Sequence, residues 1–491
     1  MYLGIDFGTS FSQASTMYLG KPLLLLNPGE YGIPSEFYYD RDCDILVGQD
    51  AADAGQGDAA ANLVSEVKMA ILSGRSFTLD GRTFTAKEII KEIYKTVILR
   101  AIQVAKKRSI DNVNVEGAVI SVPAKFGMQE RALIAEAAKE CLGTTRIPIR
   151  AIIKEPVAAA LAYYNTELED NKHILVYDLG GGTCDVALVR SDSSAAEHYT
   201  VVDSDMVRLG GRNWDEELGR HIMQVIENKS GVQIRGNVGF EEKIRRAAIS
   251  VKHDLSDSSK TRSIARVELN GRIYTVPISR SAFDEITLHL LNQTLDCLQS
   301  VYDRNIASCQ IDEIICVGGS SNMLQVEEGL TRRFPRCRVR LYEPEHAVVN
   351  GATIYANMPQ TNTLVDISNF SYGTGSNTHY GYPDNREIVS NILKKGTKLP
   401  ASCCKYYNPT RDNQETVLFD IYESEITEEE FDKSELDKRL IGNVVLTLPA
   451  NATTALSIKC EISLNTEGML EVEASEPSGQ RIKSVFQLQA L

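Results

Sequence analysis

A chain of 491 residues is too long for one hydrophobic core, because cores stop growing and split at roughly 250–300 residues, so two or three domains are expected. A hydrophobic share of 43% and a charged share of 24% exclude wholesale disorder, and a net charge of -14, with no basic run longer than Lys106, Lys107 and Arg108, argues against nucleic acid as a partner. Ten cysteines without C-x-x-C spacing suit reduced thiols better than a disulfide framework or a zinc site; with no apolar run of about 18 residues and no readable leader, no membrane span is expected and the cytoplasm is the default location.

The chain opens on YLGIDFGTSFSQAST, an apolar strand ending near Asp6, a turn of small residues at Gly8, Thr9 and Ser10, and a second strand. A carboxylate beside a turn small enough for backbone N–H groups to approach an anion is what a phosphate and a hydrated magnesium ion require, although any hairpin can use Gly and Thr in this way. From 87 to 108 the residues Ile89, Ile90, Ile93, Val97 and Ile98 recur at helical spacing; a strand is expected at Gly117–Val122 and a helix over 128–141. In IIKEPVAAALAYY, Glu155 and Pro156 begin a run of Ala and Leu, with Pro at an ordinary first-turn position.

From His173 the opening pattern returns as HILVYDLGGGTCDVALVR. Three successive glycines carry an entropic cost that an ordinary turn does not need, and they leave a surface without Cβ atoms against which phosphate oxygens can lie. The echo suggests a duplicated unit with two similar lobes. A third glycine corner, Gly318 and Gly319, follows the expected strand Glu313–Val317 and opens a helix-like segment; a helix N-terminus favours anions, and such corners also occur without any ligand. Strands and helices thus alternate over the first 350 or so residues, which argues for α/β layers.

After a junction at 358–368 with an apolar patch at Leu364 and Val365, the pattern turns to short strands from Asn369 onward. The clearest is an antiparallel hairpin in which Leu456, Ile458, Cys460, Ile462 and Leu464 alternate with polar residues and Leu470, Val472 and Ala474 resume after a turn ending in Gly468. The acidic run over 425–437 reads as a solvated loop or helix face.

In this order, GIDFGTS, IIKEPVAAALAYY, VYDLGGGTCDV and ICVGGSSNM resemble the heat-shock 70 chaperone family related to DnaK over most of the chain. Actin and the sugar kinases share the general fold, but the Glu-Pro-x-Ala-Ala-Ala run looks specifically like the chaperones. The resemblance implies an α/β actin-like ATPase, a duplicated two-lobed nucleotide-binding domain, over 1–358, a linker over 359–368, and an antiparallel β-sandwich over 369–491 that binds substrate; since the sequence stops at Leu491, the family's helical lid is expected to be absent. The implied cofactors are ATP or ADP, Mg2+ and K+.

Matched by position, the resemblance places the phosphates on Gly8, Thr9 and Ser10 and on Gly180, Gly181, Gly182 and Thr183, the hydrated magnesium ion on Asp6 and Asp178, and a monovalent cation beside Asp185. It makes Lys68, Glu155, Asp178 and Thr183 catalytic, with Lys68 near the γ-phosphate and Glu155 by the hydrolytic water. Gly210, Gly211, Lys252, Gly318, Gly319, Ser320 and Glu345 complete the nucleotide site. Pro123, Arg131 and Asp366 fall on the interdomain switch, and Val417 on the peptide pocket. From the residues alone, Lys68 reads as a surface lysine, Pro123 as a turn proline, Arg131 as a helix-surface residue and Val417 as a core strand residue.

Several positions depart from the family. The lysine-arginine pair of the adenosine pocket reads Lys252 and His253, its glutamate is Ile249, and the arginine after the glycine corner is Asn322, so weaker or less base-selective nucleotide binding is expected. The arginine used with J-domain partners falls on Ala151, and the linker's leucine run shrinks to Leu364 and Val365. The implied function is an ATP-dependent chaperone acting on unfolded or extended polypeptide, with a J-domain co-chaperone and a nucleotide exchange factor as further partners. The alternatives are a regulatory ATPase with one dedicated protein partner, a small-molecule kinase and an actin-like filament former; the β-rich end of the chain disfavours the last two.

Overall fold

In the computed structural model, which describes all residues except 43, 66, 72–73, 111–112, 143–146, 167–171, 193–198, 232, 359–363, 437–438, 466–468 and 487–491, the opening motif is a hairpin at the centre of a sheet. Tyr2–Phe7 pairs antiparallel with Phe11–Tyr18, with Ile5 opposite Ala14. Gly117–Val122 adds in parallel on the other side, with Ile5 beside Ile120, and Ile149–Lys154 continues outward. The echo from His173 folds by the same plan. His173–Leu179 pairs antiparallel with Cys184–Ser191, with Tyr177 opposite Val186, and Glu313–Val317 and Arg338–Leu341 add in parallel on the other side.

Each hairpin's first strand therefore lies between an antiparallel and a parallel neighbour. Buried strands of this kind are apolar on both faces, which is why LGIDF and ILVYDL do not alternate in character. Asp6 and Asp178 are the penultimate residues of the two strands. Both acids stand at a strand's carboxyl end, where open α/β sheets bind their ligands.

The chain divides into two compact units, one of residues 1–124, 133–199 and 204–363, the other of 125–132, 200–203 and 364–491. In the first, the helix expected at 87–108 runs over Ala86–Lys107. A capping box starts it, with Thr85 N donating to Glu88 Oε2 at 2.8 Å and Glu88 N donating to Thr85 Oγ1 at 3.3 Å. Its stripe of Ile89, Ile90, Ile93, Val97 and Ile98 is buried. The Ala-rich run after Glu155 becomes the helix Glu155–Thr166, which packs on Ala347–Asn357. Small residues permit a close crossing: a Cβ added at Gly351 would lie 1.7 Å from the Ala158 carbonyl oxygen. This packing holds the N-terminus of the helix, and with it Glu155, in place.

The second unit carries two antiparallel sheets. One runs in the order Glu430–Asp432, Glu387–Leu393, Ser371–Asn377, Thr416–Ser424, Arg439–Thr447, the other Ala401–Tyr407, Ile458–Leu464, Leu470–Ser475, Arg481–Phe486. Phe419, Ile421, Val444 and Leu446 of the first share a core with Ile458, Cys460, Ile462 and Val472 of the second, as in a sandwich. The expected hairpin is present, with Ile462 opposite Val472, while its turn at Gly468 lies outside the described residues.

Two stretches differ from their sequence reading. Part of the acidic run is the strand Glu430–Asp432, because Phe431, which interrupts the charges, is buried. Of the linker stretch, 359–363 lies outside the described residues, whereas Leu364–Val365 is a short strand and Asp366 and Ser368 are pinned, Leu399 N donating to Asp366 O at 2.8 Å and Ser368 N to Thr397 O at 2.8 Å. Among the described residues no helix is long and apolar enough to cross a membrane, and the cysteines are free thiols.

Candidate functional site

The two glycine hairpins meet tip to tip within the first unit. Gly180 N donates to Thr183 O at 3.0 Å, which closes the second turn, and a Cβ added at Gly181 would come within 2.4 Å of Ser10 Oγ on the first. The start of the helix Gly211–Ser230 is tied to the same turn, with Gly211 N donating to Gly180 O at 2.9 Å. Gly210 lies against it so closely that a Cβ would stand 2.4 Å from Gly182 N. The third corner closes on the same place: Gly318 has a φ of +81°, a conformation that favours glycine, and a Cβ there would lie 2.5 Å from Asp178 Oδ1. Three glycine corners far apart in sequence thus surround one point.

Charge is concentrated there. Lys68, on the short helix Val67–Ile71, donates through Nζ to Glu155 Oε1 at 2.6 Å, and both side chains are buried. Ser121 Oγ donates to Asp6 Oδ1 at 2.6 Å. Asp178 stands opposite Asp185 in the hairpin register, and Asp185 Oδ1 accepts from Ala124 N at 2.6 Å. Burial works against the Lys68 ammonium, but Glu155 and Asp6 overcome it and raise its pKa. Burial likewise pushes Asp6 and Asp178 up, Asp178 with the added repulsion of Glu155, Asp185 and Asp6. Glu155 is pushed up to about 8 by burial, opposed by Lys68 and reinforced by Asp185 and Asp6. Four carboxyl groups thus crowd around the Lys68 ammonium, and their burial and mutual repulsion favour cations that would let them ionise.

A pH dependence follows. Because the folded pKa of Glu155 lies above its ordinary 4.5, its contribution to stability is complete below that pH and is lost as pH rises to about 8. Thermal melts of the ligand-free chain should therefore fall across this window, and Glu155→Gln should flatten the fall. Parallel wild-type and variant profiles would contradict it.

These groups line one cavity of about 440 Å³, a size within the range of small-molecule sites. Of the residues singled out in the sequence, Asp6, Gly8, Thr9 and Ser10 are in its wall, as are Lys68 and Glu155. So are Asp178, Gly180, Gly181 and Thr183, and beyond them Gly211, Lys252, Gly318, Gly319, Ser320 and Glu345. Gly182 and Gly210 are not in the wall but pack at the junction of the turns, where a Cβ at Gly182 would meet the Thr9 side chain at 3.0 Å, and Asp185 sits buried beside Asp178. Lys252 donates to Asp215 Oδ2 at 2.8 Å and to Gly211 O at 2.9 Å. Near it, burial and the charge of Lys252 hold His253 below the usual imidazole range. Asn322 donates through Nδ2 to Gly319 O at 3.1 Å.

The remaining residues lie elsewhere. Pro123 is buried directly after Gly117–Val122. Arg131 is not a surface residue: it is 7% exposed, and its Nε donates to Phe126 O at 3.1 Å. Asp366 and Val417 belong to the second unit, where Val417 packs half-buried against the sandwich core.

Sequence reasoning missed Arg212 and Asp215, which follow Gly210 and Gly211 on the helix Gly211–Ser230 and line the cavity. Their proximity to a glycine pair was the available signal. A sequence model of the family described as Hsp70 protein matches residues 74–489. The match takes in Glu155, the second hairpin, the 318–319 corner and the sandwich strands; it begins after the first hairpin and Lys68, which join the site through the geometry above.

Proposed function

The chain belongs to the Hsp70 family of chaperone-type ATPases, and from that premise we propose that it hydrolyses ATP in the cavity of its first unit and holds extended apolar peptide segments with its sandwich. The observation that carries the reading is the convergence of two acid-bearing glycine hairpins on the buried Lys68–Glu155 pair. Glycine turns leave backbone N–H groups free to approach phosphate oxygens, and the carboxyl groups crowded around Lys68 favour cations accompanying a polyphosphate.

The donor set fits such cations. Asp6 and Asp178, two carboxyl groups in the wall of one cavity, would hold Mg2+ through its hydration water. Bound Mg2+ supplies neutralisation of charge on the transferring phosphoryl group. A K+ ion would lie beside Asp185. The Lys68 ammonium donates to the γ-phosphate oxygens as charge builds on them, Thr183 contributes its hydroxyl, and Glu155 orients the attacking water. The products are ADP and phosphate. Positioning and fixed charge do most of this work.

Calorimetry on the full chain should show uptake of both ADP and ATP with magnesium present. ATP turnover should rise with an excess of unrelated extended apolar peptides, which a β-rich site takes up through backbone hydrogen bonds and one buried side chain, with Val417 in its pocket. Nucleotide binding without any response to such peptides would instead favour one dedicated protein partner.

A further inference from the structure

Resting on the reading of the cavity as a nucleotide site, we propose that Arg212 is a second cationic contact for the terminal phosphate of the bound triphosphate. Arg212 joins the two hairpins. Its backbone N donates to Gly181 O at 2.9 Å, which anchors it on the second hairpin. Its guanidinium crosses to the first, where Nη2 donates to Thr9 O at 2.9 Å and to Ser65 O. A triphosphate gripped by both turns is spanned by this side chain.

The direction of the reach matters. Thr9 belongs to the first turn, and Ser65 precedes the helix Val67–Ile71 that carries Lys68. Arg212 lines the cavity together with Lys68, Glu155 and residues of both turns. Thr9 O and Ser65 O are neutral carbonyl acceptors. Bonds from a guanidinium to phosphate are charge-assisted and frequently bidentate, roughly twice as strong as neutral ones. With five N–H donors in a planar fork, Arg212 can turn toward a phosphate by side-chain rotation while its backbone stays on Gly181. ADP lacks the group so contacted, which makes Arg212 a residue that distinguishes the two nucleotides.

The test compares wild type, Arg212→Ala and Arg212→Lys as full chains, with calorimetric affinities for Mg-ADP and Mg-ATP and single-turnover hydrolysis. Trp214, the only tryptophan and fully buried two positions away, provides a fluorescence check that the fold is kept. In Arg212→Ala the ADP affinity should stay within about twofold, while ATP affinity or the single-turnover rate falls roughly ten- to hundredfold. Arg212→Lys should recover part of the loss, since it keeps the charge without the fork. Unchanged ATP affinity and rate in Arg212→Ala, or an equal loss for ADP and ATP, overturns the assignment of Arg212 and leaves the nucleotide reading standing. Failure of wild type to bind either nucleotide overturns both.

Discussion

Lys68→Ala is expected to lower ATP turnover by roughly 10²–10³-fold while changing ATP affinity less than about tenfold. The ammonium is 3% exposed and lies 2.6 Å from Glu155, so it is fixed in advance of the reaction, in a site where charge is poorly screened. An interaction that strengthens only as charge develops on the γ-phosphate appears in the rate more than in binding. The variant should still fold. Removing one partner of a buried pair is damaging when the other charge is stranded, but with its carboxyl pushed up to about 8 Glu155 carries a proton near neutral pH and leaves no stranded charge. Single-turnover rates and calorimetric affinities, measured together, check both halves; unchanged turnover refutes the role of Lys68. Lys68→Ala combined with Glu155→Gln should cost little more than Lys68→Ala alone, since residues that act as a unit are not additive.

The features legible in the sequence are those with a local signature. Asp6 and Asp178 announce themselves because an acid near the end of an apolar strand is followed, one residue on, by a run of small residues that reads as a tight turn. The sandwich hairpin announces itself by a period of two over Ile458–Leu464. Lys68 does not, because nothing in SEVKMAIL marks a buried ammonium: its partner Glu155 is 87 residues away, and the Phe7 ring 5.8 Å from Nζ belongs to the first strand. Arg131 escaped for a similar reason, its acceptor being the backbone of Phe126 in the turn before its own helix. In Arg212 the local context was visible, but only tertiary structure brings Thr9 and Ser65 within its reach. The solvated reading of the acidic run holds for the exposed Glu428, Glu429 and Glu435 and fails for the half-buried Glu425, paired with Lys125, and for Phe431, since charge composition says nothing about a single apolar residue that finds a sheet edge.

Asp178→Asn is expected to act in opposite directions on folding and on binding. Burial, and then Glu155, Asp185 and Asp6, hold the Asp178 carboxyl well above its ordinary 3.8. A raised folded pKa means that its contribution to stability is complete below the unfolded value and is lost as the pH rises toward the folded one. Asparagine keeps the shape and removes the charge. The ligand-free variant should therefore melt above wild type at pH 8, and the difference should shrink toward acid pH, where wild type is itself protonated. With Mg-ATP the order reverses: an amide is a poorer partner for a hydrated cation, and losing such a group costs roughly 10- to 100-fold in affinity. Because stabilisation by a ligand grows as RT ln(1 + [L]/Kd), a hundredfold weaker Kd removes about 2.7 kcal/mol of it at saturating nucleotide. A purely structural aspartate would lower both melts together; opposite signs are the mark of a carboxylate kept at the expense of stability because it serves a cation.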